Sequence, residues 1–355
     1  MFTPNALTRK ALAARDRSVD WLLKHIGPDG RPADCETRTG WSRLGWGLAV
    51  AGEPAAASAV VHWAAKHRIG ANGDYLPGYM EGQGYIAQYA NYWLGTFVVS
   101  AWMAGSYDIA LRSMDYLASQ QDPVHGGLPT RLGSGNHPAG ICDILSTAQV
   151  GLSALITGQL DVADKAYEWL DGLLAAQPSH TTFHMFRQGD AVWRTPDPAF
   201  GWAAIVPFDQ PRQAFYGPAM AAVFLARYAH IRHRPEAIAI ARGFLAYNVN
   251  GTQAQFTDID SVQACKFGWA VGVMHQADPD GGWGEWLAPM TQWFIDRQAP
   301  EGWWGPSRFA DADPTCADKL VKTSEHLMEI TALIAALGAG ACEQDRQAKS
   351  DRPMA

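Results

Sequence analysis

The helical segments of this chain are joined by connections that alternate in length, and this alternation restricts the fold more than any single motif does. Apolar residues recur with helical spacing almost throughout, and alternating β-branched runs are nearly absent. The spacing predicts helices over 7–26, 39–51, 53–68, 84–104, 107–120, 143–157, 161–177, 217–231, 234–248, 261–276, 282–298 and 319–338. Short turns such as Ala51-Gly52-Glu53, Ala104-Gly105-Ser106 and Thr157-Gly158-Gln159 join some of them. Between these turns lie long loops at 27–38, 69–83, 121–142, 178–216, 249–260 and 299–318. A short turn joins antiparallel neighbours, so each hairpin and the long loop that leads to the next form one repeating unit.

Composition sorts the helices into two sets. Those that follow long loops are rich in small and apolar residues, as in Ala148-Gln149-Val150-Gly151-Leu152 and Trp269-Ala270-Val271-Gly272-Val273, which is the pattern of helices buried all round. Those that follow short turns carry a polar stripe, as in Asp161-Val162-Ala163-Asp164-Lys165-Ala166-Tyr167-Glu168. The expectation is an all-α (α/α)6 toroid of six helical hairpins, with an inner and an outer ring, spanning 1–342. The polar stretch 343–355 is expected to be a disordered tail. All long loops then fall at one end, where sites are usually built.

Charged residues make up 18% of the chain and hydrophobic ones 48%, enough to bury a large interior. A net charge of −7 without basic clusters argues against nucleic acid as a partner. No apolar run is long enough for membrane insertion, and the N-terminal charges Arg9, Lys10, Arg15 and Asp16 do not fit a secretory signal. Five cysteines with no CxxC pair read as reduced thiols, so a cytoplasmic location is expected. There is no glycine fingerprint for a dinucleotide and no phosphate-binding loop, so no cofactor is expected. The expected partner is a small-molecule substrate, with homo-oligomerisation left open.

Several outer-helix ends share an aromatic–leucine–Gln/His stretch followed by Gly-x-aromatic. Phe294-Ile295-Asp296-Arg297-Gln298 with Gly302-Trp303-Trp304 is the clearest copy, and Tyr116-Leu117-Ala118-Ser119-Gln120-Gln121 with Gly126-Gly127-Leu128 is a weaker one. This resembles the glutamine–tryptophan repeat of squalene–hopene cyclases and their terpenoid-cyclase and protein-prenyltransferase relatives, in which the motif ties neighbouring hairpins together. The segment Asp258-Ile259-Asp260-Ser261 is similar to the Asp-x-Asp-Asp acid motif that opens an inner helix in class II terpene cyclases. Ser261 replaces the last acid. The resemblance implies that Asp260 is the proton donor with Asp258 beside it; two carboxylates in an apolar cavity do not both ionise. Asp260 is equally placed to cap its helix. Asp313, Cys316 and His326 resemble the zinc ligands of prenyltransferase β subunits in type, although the spacing is Asp-x-x-Cys instead of Asp-x-Cys. Asp122-Pro123-Val124-His125-Gly126-Gly127 and Asp278-Pro279-Asp280-Gly281-Gly282-Trp283 resemble turns of N-acylglucosamine 2-epimerase-like and glucuronyl-hydrolase-like toroids.

Loop ends that converge on one cavity supply the candidate site. Asp143, at the first turn of an inner helix, and His326, within another, are the expected partners of Asp260 in acid–base chemistry. Arg38, Trp41, Tyr85, His137, His184, Arg187, Trp193, Tyr216 and Trp304 are expected to bind substrate, and Lys266, Lys322 and Glu325 also fall at this end. His326 alternatively serves as a hydrogen-bonded core residue. The function expected is a cofactor-independent acid–base enzyme, a cyclase, isomerase or lyase, acting on a small, largely apolar or unsaturated molecule such as a terpenoid or polyketide-like compound. A carbohydrate-active epimerase or hydrolase and a non-catalytic lipid- or peptide-binding toroid are the alternatives.

Overall fold

The computed structural model describes residues 5–36, 39–80, 83, 85–130, 140–194 and 203–350. In chain order its helices are α1 (Ala6–Lys24), α2 (Trp41–Ala51), α3 (Pro54–His67), the short α4 (Tyr85–Gln88), α5 (Ala90–Met103), α6 (Tyr107–Gln120), α7 (Ile144–Thr157), α8 (Leu160–Ala175), α9 (Tyr216–Arg232), α10 (Glu236–Val249), the short α11 (Ala254–Thr257), α12 (Cys265–Ala277), α13 (Gly284–Asp296) and α14 (Cys316–Ser350). Helices α2, α5, α7, α9, α12 and α14 each pack on the next, and α14 packs back on α2, so they close an inner ring. Helices α3, α6, α8, α10 and α13 each follow their inner partner through a short turn, and α1 completes the sixth hairpin by packing on α14. The fold is the (α/α)6 toroid.

Local chemistry places the boundaries. Asp143 caps α7 by accepting the Ser146 N–H at 2.8 Å. Gly52 and Gly158 end α2 and α7 in the left-handed conformation. Inner helices are buried on every side: α9 buries residues from Gly217 to Ala229 with few exceptions, whereas α6 and α8 bury one stripe each. Some boundaries depart from expectation, and the helix expected over 84–104 is broken at Tyr89 into α4 and α5. The helix expected from 261 starts at Cys265, because Asp258 to Ala264 form turns. At the other end, α14 continues to Ser350 through the stretch expected to be an irregular tail from Glu343.

The long fourth loop also departs from expectation. It folds into short strands, β2 (Thr182–His184), β3 (Phe186–Gln188), β4 (Ala191–Val192) and β5 (Ile205–Pro207), which pair antiparallel with one another and with β1 (Ile141–Asp143) at the end of the third loop. Strand β3 lies between β1 and β4, with Cys142 opposite Arg187, and β2 pairs with β5. Buried Phe183, Phe186 and Val206 dock these strands on the barrel. Strands of two or three residues are too short to produce a periodic signal.

The repeated outer-helix motif does tie hairpins together. Gln298 Nε2 donates to Ala14 O of α1 at 2.7 Å and to Gly302 O at 3.0 Å. Gln121 Nε2 makes the same pair of bonds, to Val162 O of α8 and to Gly126 O. The turn glycine sits at positive φ against the neighbouring outer helix: a Cβ on Gly302 (φ 102°) would lie 2.3 Å from Arg17 O, and one on Gly126 (φ 80°) would lie 2.4 Å from Lys165 O. Gly302→Ala is therefore expected to cost roughly 3 kcal/mol, combining the positive-φ penalty with displacement of a packed helix. Gly52→Ala, at φ 96° with nothing within 4 Å of the new Cβ, isolates the φ penalty and should cost about 1 kcal/mol. Urea unfolding of the two variants measures the difference; equal losses would show that the turn does not clamp α1.

Candidate functional site

The inner ring encloses a cavity of about 290 Å³ at the long-loop end. Its walls are largely apolar and aromatic, formed by Ile86, Tyr89, Trp93, Leu145, Pro306 and Val321. On one side, Tyr92, Lys266, Lys322 and Glu325 face it from α5, α12 and α14. These side chains belong to a charged network that is almost wholly buried. Glu325 forms ion pairs with Arg43 Nη1 at 3.0 Å, Lys266 Nζ at 2.7 Å and Lys322 Nζ at 2.8 Å. Lys266 Nζ also reaches Glu329 Oε1 at 2.7 Å, and Glu329 Oε2 lies 2.9 Å from His326 Nδ1. Arg43 Nη2 donates to the Tyr92 hydroxyl, and its guanidinium lies 4.9 Å from the centre of the Trp93 ring. Glu325 and Glu329 are one helical turn apart on α14, so both point to the same side.

Electrostatics fix the protonation of this network. Burial alone would raise the Glu325 carboxyl, but Lys266, Lys322 and Arg43 hold it well below the usual carboxylate range. Burial would likewise strip the lysines of their protons, yet the Coulomb attraction of Glu325 outweighs it and both stay raised. Burial dominates at His326, whose pKa is lowered, and the ring is neutral at pH 7. Nδ1–H donating to Glu329 is the tautomer that suits a carboxylate partner. Nε2 then remains without a hydrogen-bond partner among the described residues. Burial, followed by Glu329 and Glu325, pushes the Cys265 thiol up, so it stays protonated.

The expected acids are distributed differently. Asp258 and Asp260 lie in the turns before α12, on the outer rim. Arg212 Nε donates to Asp258 Oδ2 at 2.8 Å, while Asp260 is 40% exposed between Arg212 and Arg308 and lines a separate surface depression. Neither residue caps α12, whose cap position is Ala264. Asp143 is fully buried beneath the wall residue Leu145, and burial raises its carboxyl to about 7. His326 is packed edge-on among Trp293, Phe294 and Trp304, behind Glu325.

Among the expected binding residues, Tyr216 lines the cavity. Trp41 and Trp304 are core residues whose indoles donate to Tyr79 Oη and Phe294 O. Arg187 spans Trp169 O and Asp190, His184 Nδ1 lies 3.2 Å from Trp193 O, and Trp193 packs on Phe186; all three hold the strands of the fourth loop. Tyr85 opens α4, and Arg38 and His137 lie outside the described residues.

Asp313, Cys316 and His326 do not form a metal site. Cys316 and His326 are ten residues apart on one helix, which separates them by about 15 Å at 1.5 Å per residue. Cys265, Glu325 and His326 instead offer ligand atoms within 4.8 Å of one another. Three cations already share Glu325, so a divalent ion would have to displace them.

Sequence reasoning passed over Arg43, Tyr92, Cys265 and Glu329. The available signal was a charge inside an otherwise apolar inner helix: Arg43 in Trp41-Ser42-Arg43-Leu44, Lys266 in Cys265-Lys266-Phe267, and Glu329 four residues after Glu325.

No protein-family model matches the chain, and no curated protein does. Solved structures match it along nearly its whole length. A type II terpene cyclase from Scytonema shares 13% identity at a TM-score of 0.57, over 93% of this chain and 99% of that one. A D-mannose isomerase shares 12% at 0.63, over 95% and 100%. An α-mannanase of glycoside hydrolase family 76 from Bacteroides thetaiotaomicron shares 10% at 0.61, over 94% and 97%. At these identities the likeness shows the fold, and the fold is the six-hairpin toroid that cyclase, isomerase and hydrolase have in common.

Proposed function

We propose that the chain is an enzyme of the isomerase or cyclase type that moves a proton on a small, largely apolar or unsaturated molecule held in the central cavity. One observation carries this reading: a phenol, Tyr92, with a buried guanidinium on its oxygen, lines a largely apolar and aromatic cavity together with two lysines. The Arg43 N–H accepted by Tyr92 Oη fixes the phenol at the cavity wall and leaves its O–H to be directed at a substrate, so Tyr92 is placed to give a proton and recover it. Lys266 and Lys322 are placed to stabilise negative charge developing on the substrate. Glu325 is held too firmly ionised to be a good base; its role is to keep the cations in place. His326 and Glu329 support the network from behind.

The cost of the network supports a catalytic role. A buried ion cluster is commonly no more stable than the apolar packing it displaces, so its presence against a cavity points to use. The toroids of terpene cyclases and sugar isomerases house enzymes on the same frame, which is support by analogy alone.

The test is turnover. Purified protein is incubated with terpenoid and polyketide-like acids, alcohols and ketones, and separately with hexoses and uronic acids, and products are followed by mass spectrometry. Conversion of an apolar member is expected. With that substrate Tyr92→Phe should lower kcat about a hundredfold with little change in KM, in the range for loss of a general acid. Conversion of sugars alone would transfer the protein to the carbohydrate-active reading. Binding of an apolar ligand without conversion of any compound would favour the non-catalytic one.

A further inference from the structure

One nucleophile in the cavity wall takes no part in the proton transfer proposed above. Cys265, the first residue of α12, lines the central cavity, and α12 packs on α14. Its Sγ, a Glu325 oxygen and a His326 ring nitrogen lie within 4.8 Å of one another. Glu329 Oε2 holds His326 Nδ1 at 2.9 Å, so the nitrogen left to accept a proton is Nε2. That atom is buried and has no hydrogen-bond partner among the described residues. An unsatisfied buried acceptor is costly and rare in folded proteins, and a catalytic role is one reason to keep it. A thiol, an imidazole and a carboxylate that orients the imidazole are the parts of a nucleophilic triad. Nε2 does not reach the thiol at hydrogen-bond distance here, and such pairs are commonly long until substrate closes the site. Burial, then Glu329 and Glu325, keep the thiol protonated, and burial keeps the imidazole neutral. A neutral thiol beside a neutral base acts as a serine does in its triad: the proton leaves as the bond to carbon forms.

We propose that Cys265 is a catalytic nucleophile with His326 as its base and Glu329 as a positioning residue, and that the substrate is an α,β-unsaturated carbonyl compound whose double bond is isomerised through a reversible thiol adduct. This rests on the small unsaturated substrate proposed above and adds its functional group. Sγ bonds to the β carbon, the S–H proton passes to His326 Nε2, and the C=C electron pair moves onto the carbonyl oxygen as an enolate. Tyr92 and Lys322, which line the same cavity, are the groups available to hold that oxygen. The former double bond is now single and turns. The enolate pair then restores the double bond, the S–C bond breaks, and the leaving sulfur recovers its proton from His326. Nothing is consumed, so no co-reactant is needed.

N-ethylmaleimide, a small unsaturated carbonyl electrophile, reads this thiol directly. The full chain is labelled from pH 5 to 8, and the rate at each cysteine is followed by peptide mass spectrometry. Cys142 is the internal control: it is as buried, its thiol is likewise pushed up, and it lies outside the cavity lining. At pH 7 Cys265 should react roughly tenfold faster than Cys142 or more. Its rate should rise as His326 loses its proton below its ordinary pKa and then level off. Arg43, Lys266, Lys322 and Glu325 keep their charges across this window, and Trp293, Phe294 and Trp304 on the far side of the ring bring none. A thiol without a base would instead speed up about tenfold per pH unit throughout. His326→Gln should replace the plateau with that rise. Glu329→Gln removes a charge that raises the His326 pKa, so the plateau should begin at lower pH. The wild-type profile needs no variant and stands even where His326→Gln does not fold. A continuous rise in wild type, equal rates at Cys265 and Cys142, or no labelling of Cys265 would each overturn the nucleophile. In the turnover screen, conversion retained by Cys265→Ala would overturn the adduct and leave the Tyr92 proton transfer in place. Conversion lost in Cys265→Ala and retained in Tyr92→Phe would sustain the adduct and overturn that proton transfer.

Discussion

Glu325→Gln is expected to destabilise the protein by roughly 3–5 kcal/mol at pH 7, the cost of breaking a buried ion pair from one side. Wild-type Glu325 forms ion pairs with Arg43, Lys266 and Lys322. The amide keeps the shape and removes the charge, leaving three cations with Glu329 as their remaining carboxylate in the network. The loss should depend on pH with a definite sign. The folded-state pKa of Glu325 is depressed, so its contribution is complete above the unfolded glutamate value of 4.5 and is lost as pH falls through the lower folded value. Wild type and Glu325→Gln should therefore differ most at neutral pH and converge in acid. Combining Glu325→Gln with Lys322→Met should recover part of the loss, because the two sites share an ion pair and their effects are not additive. Urea unfolding of the four proteins measures this cycle. Additive effects, or a Glu325→Gln Tm within two degrees of wild type as an approximate threshold, would show that water enters and screens the network.

The ring was legible in the sequence because it is built from local rules repeated many times. Loop lengths alternate, inner helices such as α7 and α12 lack a polar stripe, and turn glycines such as Gly302 recur at outer-helix ends. The site was legible only at the level of which end it occupies. Asp258 and Asp260 attracted attention because they precede an apolar helix, but Asp258 folds back to accept the Asp260 N–H at 3.0 Å and is taken by Arg212, a residue 46 positions earlier. No local pattern encodes that pairing. Trp41, Trp304 and His184 share the composition of pocket residues, yet their polar atoms are satisfied within the core and the fourth loop, and only three-dimensional packing reveals it. The opposite error hid Arg43 and Glu329. Buried charges are rare enough that a charged residue in an apolar helix is readily assigned to a rim, whereas here Arg43, Lys266, Glu325 and Glu329 satisfy one another across α2, α12 and α14.

Asp143→Asn is expected to make the protein more stable as pH rises, a gain that wild type gives up to an ionising buried carboxyl. Asp143 accepts the Ser146 N–H through one oxygen, while its Oδ2 is buried without a partner among the described residues. Burial raises its folded-state pKa from 3.8 to about 7. The folded state therefore holds this proton more tightly than the unfolded state does. Stability falls as pH climbs from the unfolded value toward 7 and levels off above it. A shift of this size corresponds to at most roughly 4 kcal/mol across the window. Asparagine keeps the cap and cannot ionise, so any constant cost of its buried amide appears at every pH and leaves the slope untouched. His326 titrates over part of the same range in the opposite sense, since its lowered pKa favours the folded state as pH rises; it is common to both proteins and cancels in the difference. Tm measured from pH 4.5 to 8.5 should show the Asp143→Asn curve rising relative to wild type up to about pH 7 and running parallel above it. Parallel curves throughout would mean that Asp143 ionises as a hydrated carboxylate. Asp143→Ala separates the two roles: it removes the ionisation and also the cap, so it should track the Asn variant in slope while lying about 1 kcal/mol below it at every pH.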